Sequence, residues 1–219
     1  MLPLTEKEHT FLIAGPAGQI EVKWLRPDPA GIFANKAWSA IVCHPNPTRG
    51  GDMNNKVVTT LLRTYRDLGV QVVTFNFRGV GNSSGEFDRG VGEKEDLRAV
   101  IAWCRAQLQP AALLLAGFSF GSSIAAAVSH TCDDLIHLLL VAPPVDRYVY
   151  EINHRFAVPV TVVQGGQDEL IPAQQVHDWA AGLQSPLRLV AYEKAGHFFH
   201  GFLTALKRDV SDVLAETLA

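Results

Sequence analysis

The stretch Ala112-Leu-Leu-Leu-Ala-Gly117-Phe-Ser119-Phe-Gly121-Ser-Ser-Ile-Ala-Ala-Ala-Val-Ser129 decides how the chain is read. Its opening apolar run is of the kind that builds a strand covered on both faces, and its closing residues, Ser122 to Ser129, are helix-prone. Between them stands Gly-x-Ser-x-Gly. A serine carried on a sharp turn between strand and helix crowds its neighbours, and a glycine on each side relieves the crowding. Ser119 is then held out toward solvent. In an arbitrary loop the pentapeptide would say little, but in this context it marks Ser119 as a candidate nucleophile. The competing reading is a glycine-rich turn that merely joins strand to helix.

Working outward, further apolar β-type runs alternate with helix-like segments. The runs are Ser39 to Cys43, Val70 to Phe75, Leu135 to Ala142, Val158 to Val163 and Leu187 to Tyr192. The helix-like segments are Asn55 to Leu68, Glu93 to Gln107, Phe120 to His130, Ala173 to Gly182 and Phe199 to Leu218. Strand, crossover helix and strand repeated in this way imply a mostly parallel, doubly wound α/β sheet. Two earlier runs, Thr10 to Ala14 and Ile20 to Arg26, are split by a turn at Gly15 to Gly18 and read as a hairpin on an antiparallel N-terminal edge.

With 219 residues, 47% of them hydrophobic and 19% charged, the chain suits one well-buried core, so a single domain over residues 1–219 is expected. The net charge of -3 comes without a basic run able to neutralise a phosphate backbone, which argues against a nucleic-acid partner. The three cysteines, Cys43, Cys104 and Cys132, lack paired or metal spacing and read as buried thiols. Glu6, Lys7 and Glu8 interrupt the stretch Met1 to Thr10 where a secretory signal needs an apolar run, and no later run approaches a membrane span. A soluble, cytoplasmic protein with no membrane partner is the expectation.

A serine hydroxyl needs a base to take its proton, so a histidine is required on another strand-end loop. Where a nucleophile sits on such a turn, the chain order is nucleophile, acid, histidine. After Ser119 the candidates are His130, His137, His154, His177, His197 and His200. His137 lies within a buried strand pattern, and His130 and His177 within helical ones. His197, in Lys194-Ala-Gly-His-Phe-Phe-His200, follows the last strand directly with a glycine before it and is preferred. His200 is the runner-up, placed to cap or pack at a helix start. No cysteine or second acid accompanies this pair at metal spacing, so no metal site is expected.

The base in turn needs a carboxylate to fix its tautomer and to stabilise the imidazolium that forms. In Val160-Thr-Val-Val-Gln-Gly-Gly-Gln-Asp168-Glu-Leu-Ile-Pro172 a strand ends at Gly165-Gly166 and a turn presents Asp168 at the same sheet edge. Asp168 or its neighbour Glu169 can equally serve as a helix cap, and Asp146, after the preceding strand, is an alternative acid. Two N–H donors for a developing oxyanion complete the set. Phe120 supplies the first. In the loop Cys43-His-Pro-Asn-Pro-Thr-Arg-Gly-Gly51, Pro45 and Pro47 have no N–H, which leaves Asn46 as the second donor, through its backbone or its side chain. His44 is read as a brace of this loop rather than a proton carrier.

From about Ser39 onward the motifs His44-Pro-Asn-Pro-x-x-Gly-Gly51 with Asn54-Asn-Lys-Val-Val58, Phe75-Asn-Phe-Arg-Gly-Val-Gly-x-Ser-x-Gly85, Gly117-Phe-Ser-Phe-Gly121, Ala142-Pro-Pro-Val-Asp146 and Gly196-His-Phe-Phe-His-Gly201 resemble one family. It is the small, lidless bacterial serine α/β-hydrolases, related to the dienelactone-hydrolase and acyl-peptidase branch. The resemblance implies an α/β-hydrolase fold and hydrolysis of an ester, thioester or similar acyl bond, with no metal or organic cofactor. Asn46 departs from the histidine that many such relatives carry there; a backbone donor survives that change. Relatives with a lid insert it after the sixth strand, where this chain has only Pro143 to Ala157, so an open, shallow site without a lid domain is expected.

With little remote binding energy available, such a site favours small acyl esters, and a carboxylesterase-like reaction through a Ser-His-Asp triad and an acyl-enzyme is the reading. Thioesterase and peptidase-like activities are the alternatives among enzymes; a haloalkane dehalogenase would need a carboxylate where Ser119 stands. A non-catalytic binding domain that keeps the pocket is the alternative outside them, and the presence of all three triad residue types speaks against it. Arg49, Arg78 and Arg89 lie in or near strand-end loops, where they meet either an anionic substrate or loop carboxylates and carbonyls.

Overall fold

A computed structural model describes residues 7–150 and 152–219. Met1–Glu6, part of the stretch weighed against a secretory signal, and Glu151 lie outside the described residues. The strands are β1 (Glu8–Gly15), β2 (Gly18–Leu25), β3 (Trp38–Cys43), β4 (Gln71–Phe75), β5 (Ala112–Phe118), β6 (Leu135–Val141), β7 (Val160–Gly165) and β8 (Leu187–Tyr192). The helices are α1 (Lys56–Asp67), α2 (Gly92–Gln107), α3 (Phe120–Ser129), α4 (Ala173–Ala181) and α5 (Leu203–Leu218). The strands form one sheet in the order β1-β2-β4-β3-β5-β6-β7-β8. β1 and β2 make the antiparallel edge, and every pairing from β4 to β8 is parallel. This is the doubly wound arrangement expected from the alternation of runs and helices.

The burial of each element follows its place. β5, at the centre of the sheet and covered by α1 and α3, is buried at every residue, which is why its sequence is apolar without alternation. The edge strand β8 is exposed at Arg188, Leu189 and Ala191. α1 turns Val57, Val58, Leu61, Leu62 and Tyr65 inward at helical spacing, and the Asn55 side chain caps it by accepting from Val57 N at 2.9 Å. α1 packs on α5, and α2 on α3; right-handed crossovers put the two pairs on opposite faces. Cys43, Cys104 and Cys132 are buried free thiols, as expected.

The topology fixes where a ligand can sit. From β3 the chain passes through α1 to β4 on one side, then returns through α2 to β5 on the other, so β3 and β5 are neighbours whose connections leave in opposite directions. Their carboxyl ends lie level, with Cys43 opposite Gly117, and open the crevice that such sheets use for binding. Residues 142–159 run from β6 to β7 with no helix or strand among the described residues beyond an Ile152–Arg155 bridge, and no lid domain is inserted. No helix among the described residues is long and apolar enough to cross a membrane.

One boundary differs from the sequence pattern by more than two residues. The last helix begins at Leu203 rather than Phe199, because Phe199 (φ 53°) and Gly201 (φ 80°) both take left-handed backbone that no helix continues through. His200 therefore lies in a turn, exposed and stacked on the Phe198 ring at 6.0 Å, and does not cap α5.

Candidate active site

Ser119 sits between β5 and α3 with φ 52° and ψ -123°, a conformation costly for any residue with a side chain, on the order of 1–3 kcal/mol. The surroundings hold it there. Ser119 N donates to Val141 O at 2.8 Å, and Ser119 O accepts from Ser122 N at 2.9 Å and Ser122 Oγ at 2.5 Å. Ser122 Oγ also meets the buried Tyr150 hydroxyl at 2.8 Å, which ties the β6–β7 connection to the underside of the turn. The flanking glycines are forced by close backbone approach. A Cβ on Gly117 would stand 2.2 Å from Gly121 O, and one on Gly121 would stand 2.4 Å from both Cys43 O and His44 O.

His197 follows β8 and Asp168 follows β7, so both reach the same sheet edge from neighbouring strands. His197 Nε2 is 3.1 Å from Ser119 Oγ, and His197 Nδ1 is 2.8 Å from Asp168 Oδ2. With Nδ1–H donated to the carboxylate, Nε2 presents its lone pair to the hydroxyl. The His197 and Asp168 side chains are 3% and 0% exposed, so water does not compete for the link between them. The imidazole is also wedged by aromatic rings, Phe118 at 5.0 Å and Phe198 at 5.1 Å.

Asp168 divides its labour between its oxygens. Oδ1 accepts from Leu170 N at 2.9 Å and Ile171 N at 2.8 Å, a local turn-capping role, while Oδ2 takes His197 and the Gln164 amide at 3.1 Å. The capping reading and the histidine-orienting reading thus hold together. Burial alone would raise this carboxyl's pKa, but the hydrogen bond and charge of His197 with the two backbone N–H groups outweigh it and hold it below the ordinary value. Glu169 adds a second clamp, accepting from His197 N at 3.1 Å.

The loop after β3 supplies the other wall. Asn46 Oδ1 accepts from Thr48 N and Thr48 Oγ1, both at 2.9 Å, so the carboxamide oxygen is spent on capping the 3-10 turn Pro47–Arg49. No acceptor among the described residues takes the Asn46 backbone N–H. Phe120 N–H is the first of α3, one of the donors a helix start leaves unpaired. His44 is buried: its Nδ1 bonds Pro45 O at 2.7 Å and its Nε2 accepts from Phe77 N at 3.0 Å. Burial lowers its pKa to about 4 against the opposing pull of Pro45 O and Asp52, so the ring is a neutral brace, as read from the sequence.

The competing candidates lie elsewhere. His130 stacks on Phe156 at 5.3 Å and bonds Tyr150 O at 3.1 Å; His137 is buried in β6 against Thr161 Oγ1 at 3.0 Å. Asp146 pairs with Arg147 at 3.4 Å. Arg78 is committed to Asp96 through Nε at 3.0 Å and a second guanidinium nitrogen at 2.8 Å, so it holds the loop after β4 to α2; Arg49 and Arg89 stay exposed. Sequence reading passed over Gln164, Ser122 and Tyr150, and placed Glu169 only as a possible cap. The one available signal was a polar residue, Gln164, next to last in a mostly apolar strand.

Comparisons with known proteins agree with the fold. A family described as the alpha/beta hydrolase fold matches residues 41–143. An α/β serine hydrolase homologue from Coxiella burnetii is 42% identical with a TM-score of 0.89, covering 98% of this chain and 99% of its own. The chain belongs to the α/β serine hydrolases. A Xanthomonas campestris member described as lacking a lid is 38% identical with a TM-score of 0.89, covering 98% of this hydrolase and 97% of its own chain. The Rickettsia prowazekii protein RP471 is 34% identical over 210 residues, 91% of this hydrolase and 86% of the relative.

Proposed function

We propose that this chain cleaves small acyl esters in a carboxylesterase-like reaction, with Ser119 as nucleophile, His197 as general base and Asp168 orienting the imidazole. The observation that carries the reading is the unbroken line from Asp168 Oδ2 through the imidazole to Ser119 Oγ, with contacts of 2.8 and 3.1 Å at the crevice between β3 and β5. Ser119 Oγ attacks the acyl carbon while its proton passes to His197 Nε2, and the carbonyl oxygen becomes an oxyanion. The N–H groups of Phe120 and Asn46 receive that charge, aided by the positive end of α3. His197 then gives the proton to the leaving alcohol, and the acyl group remains on Ser119. Water, deprotonated by the same ring, releases the acid and restores the hydroxyl. Only a neutral imidazole can act as this base.

The preference for small acyl groups is supported by the direct β6–β7 connection and by the aromatic packing beside the turn. The Phe120 ring, 2% exposed, is enclosed by Phe77 at 5.7 Å, Phe87 at 5.7 Å and Tyr148 at 5.8 Å, leaving that flank filled. A p-nitrophenyl ester series tests it: acetate and butyrate should turn over well above palmitate. The reverse ranking would refute the chain-length preference, and matching thioester or anilide panels at higher kcat/KM would replace the ester assignment.

A further inference from the structure

Gln164, next to last in β7, is fully buried, yet its amide is poorly served as a packing group. Nε2 lies 3.1 Å from Asp168 Oδ2, 3.1 Å from Gly165 O and 3.3 Å from Ile171 O, whereas Oε1 has no partner among the described residues. Three acceptors surround the nitrogen. The amide cannot be turned the other way round, since its oxygen would then face three acceptor oxygens. An apolar residue of the same size would avoid leaving a buried carbonyl oxygen unpaired. At Asp168, what only the amide provides is an N–H donor beside the imidazole.

Asp168 Oδ2 is the oxygen that holds His197 Nδ1, and Gln164 shares it. With Leu170 and Ile171 on Oδ1, the carboxylate receives two donors on each oxygen, which fixes its plane and satisfies its charge away from water. We propose that Gln164 is a positioning residue for catalysis, locking the Asp168 carboxylate so that the imidazole stays aimed at Ser119 when it takes up the proton. The proposal rests on the reading of Ser119, His197 and Asp168 as the catalytic set. Without the amide, Oδ2 keeps His197 as its single donor, and the carboxylate is held on that side by the imidazole alone. The imidazolium would then form against a less well-placed counter-charge. Substrate does not touch Gln164, so the loss should fall on kcat and spare KM.

The test combines Gln164→Leu, Gln164→Glu and Asp168→Asn in kinetics on a short-chain ester. Gln164→Leu should lower kcat roughly 10- to 100-fold, the rate equivalent of one hydrogen bond to a charged group, with KM within about twofold. In an Asp168→Asn background the same substitution should cost almost nothing further, because the two act through one contact. Gln164→Glu faces Asp168 with His197 beyond it. It should keep activity where the new carboxyl is protonated and lose it as pH rises, an alkaline fall absent from the native profile, and this arm decides if the leucine variant does not fold. Native kcat in Gln164→Leu, full additivity with Asp168→Asn, or an unchanged alkaline limb in Gln164→Glu overturns the proposal. An Asp168→Asn variant as active as the native protein overturns instead the catalytic assignment beneath it.

Discussion

The two walls of the crevice are held by different means. At β3 and β5 the Ser119 turn is set by backbone against backbone: Gly121 under the carbonyls of Cys43 and His44, Gly117 under that of Gly121, and Ser119 forced to φ 52°. At β7 and β8 the histidine is set by side chains: Asp168 on the ring, Glu169 on the backbone N–H, Gln164 behind the carboxylate. The first wall is steric and tolerates no added atom. The second is electrostatic and can be weakened by degrees, one hydrogen bond at a time.

The largest expected effect tests the second wall. Asp168→Asn preserves shape but removes the charge and permits the wrong tautomer, so kcat should fall about 10⁴-fold, as in other triads. Were Asp168→Asn nearly silent and Asp146→Asn crippling, the electrostatic wall would have been assigned to the wrong loop. On the first wall, Asn46 separates backbone from side-chain donation, since its φ of -54° already suits proline. Asn46→Pro deletes the N–H and should cost about 10²- to 10³-fold in kcat, while Asn46→Ala, which loses only the cap on Thr48, should stay within a few-fold. Equal losses in the two variants would move the donor to the carboxamide.

Steric control predicts a stability effect where the electrostatic wall predicts a kinetic one. Gly121→Ala places a methyl 2.4 Å from two carbonyl oxygens and should lower the unfolding free energy by about 3 kcal/mol in a denaturant titration. A near-native midpoint would show that the wall can yield. Acid sharpens the contrast further. His44 and His137 are buried neutral with pKa lowered from 6.5 to about 4, so the unfolded chain binds protons that the folded chain refuses between those values. Their contribution is complete above the unfolded value and is lost as pH falls toward 4, at up to about 1.4 kcal/mol per pH unit for each ring. Asp168, with its pKa held down, gives way only at still lower pH. Denaturant midpoints that stay level from pH 7 to 5 would contradict this.

The same contrast explains what the sequence disclosed. Steric demands leave residue types behind: glycine at 117 and 121 is required by contact, and prolines at 45 and 47 leave Asn46 as the candidate donor by elimination. The apolar runs and their alternation with helices were legible because a central strand such as β5 has no exposed face to signal otherwise. Asp168 and His197, expected from chain order and from their places after strands, are brought within hydrogen-bond reach of each other and of Ser119. Glu169 and Tyr150 were hidden because a hydrogen bond between distant loops has no fixed spacing, and Gln164 and Ser122 because a polar residue near a strand or helix end does not announce which neighbour it bonds. The start of α5 was misplaced because positive φ at Phe199 is imposed by the turn around it, with no glycine at that residue to announce it.

The central claim is that Ser119 is activated by His197. Treatment of the native protein with a fluorophosphonate, followed by digestion and mass analysis of the peptides, tests it directly. The label should sit on Ser119 and be lost in His197→Ala and in heat-unfolded protein. A label on any other residue, or equal labelling of Ser119 in native protein and in His197→Ala, would contradict the account.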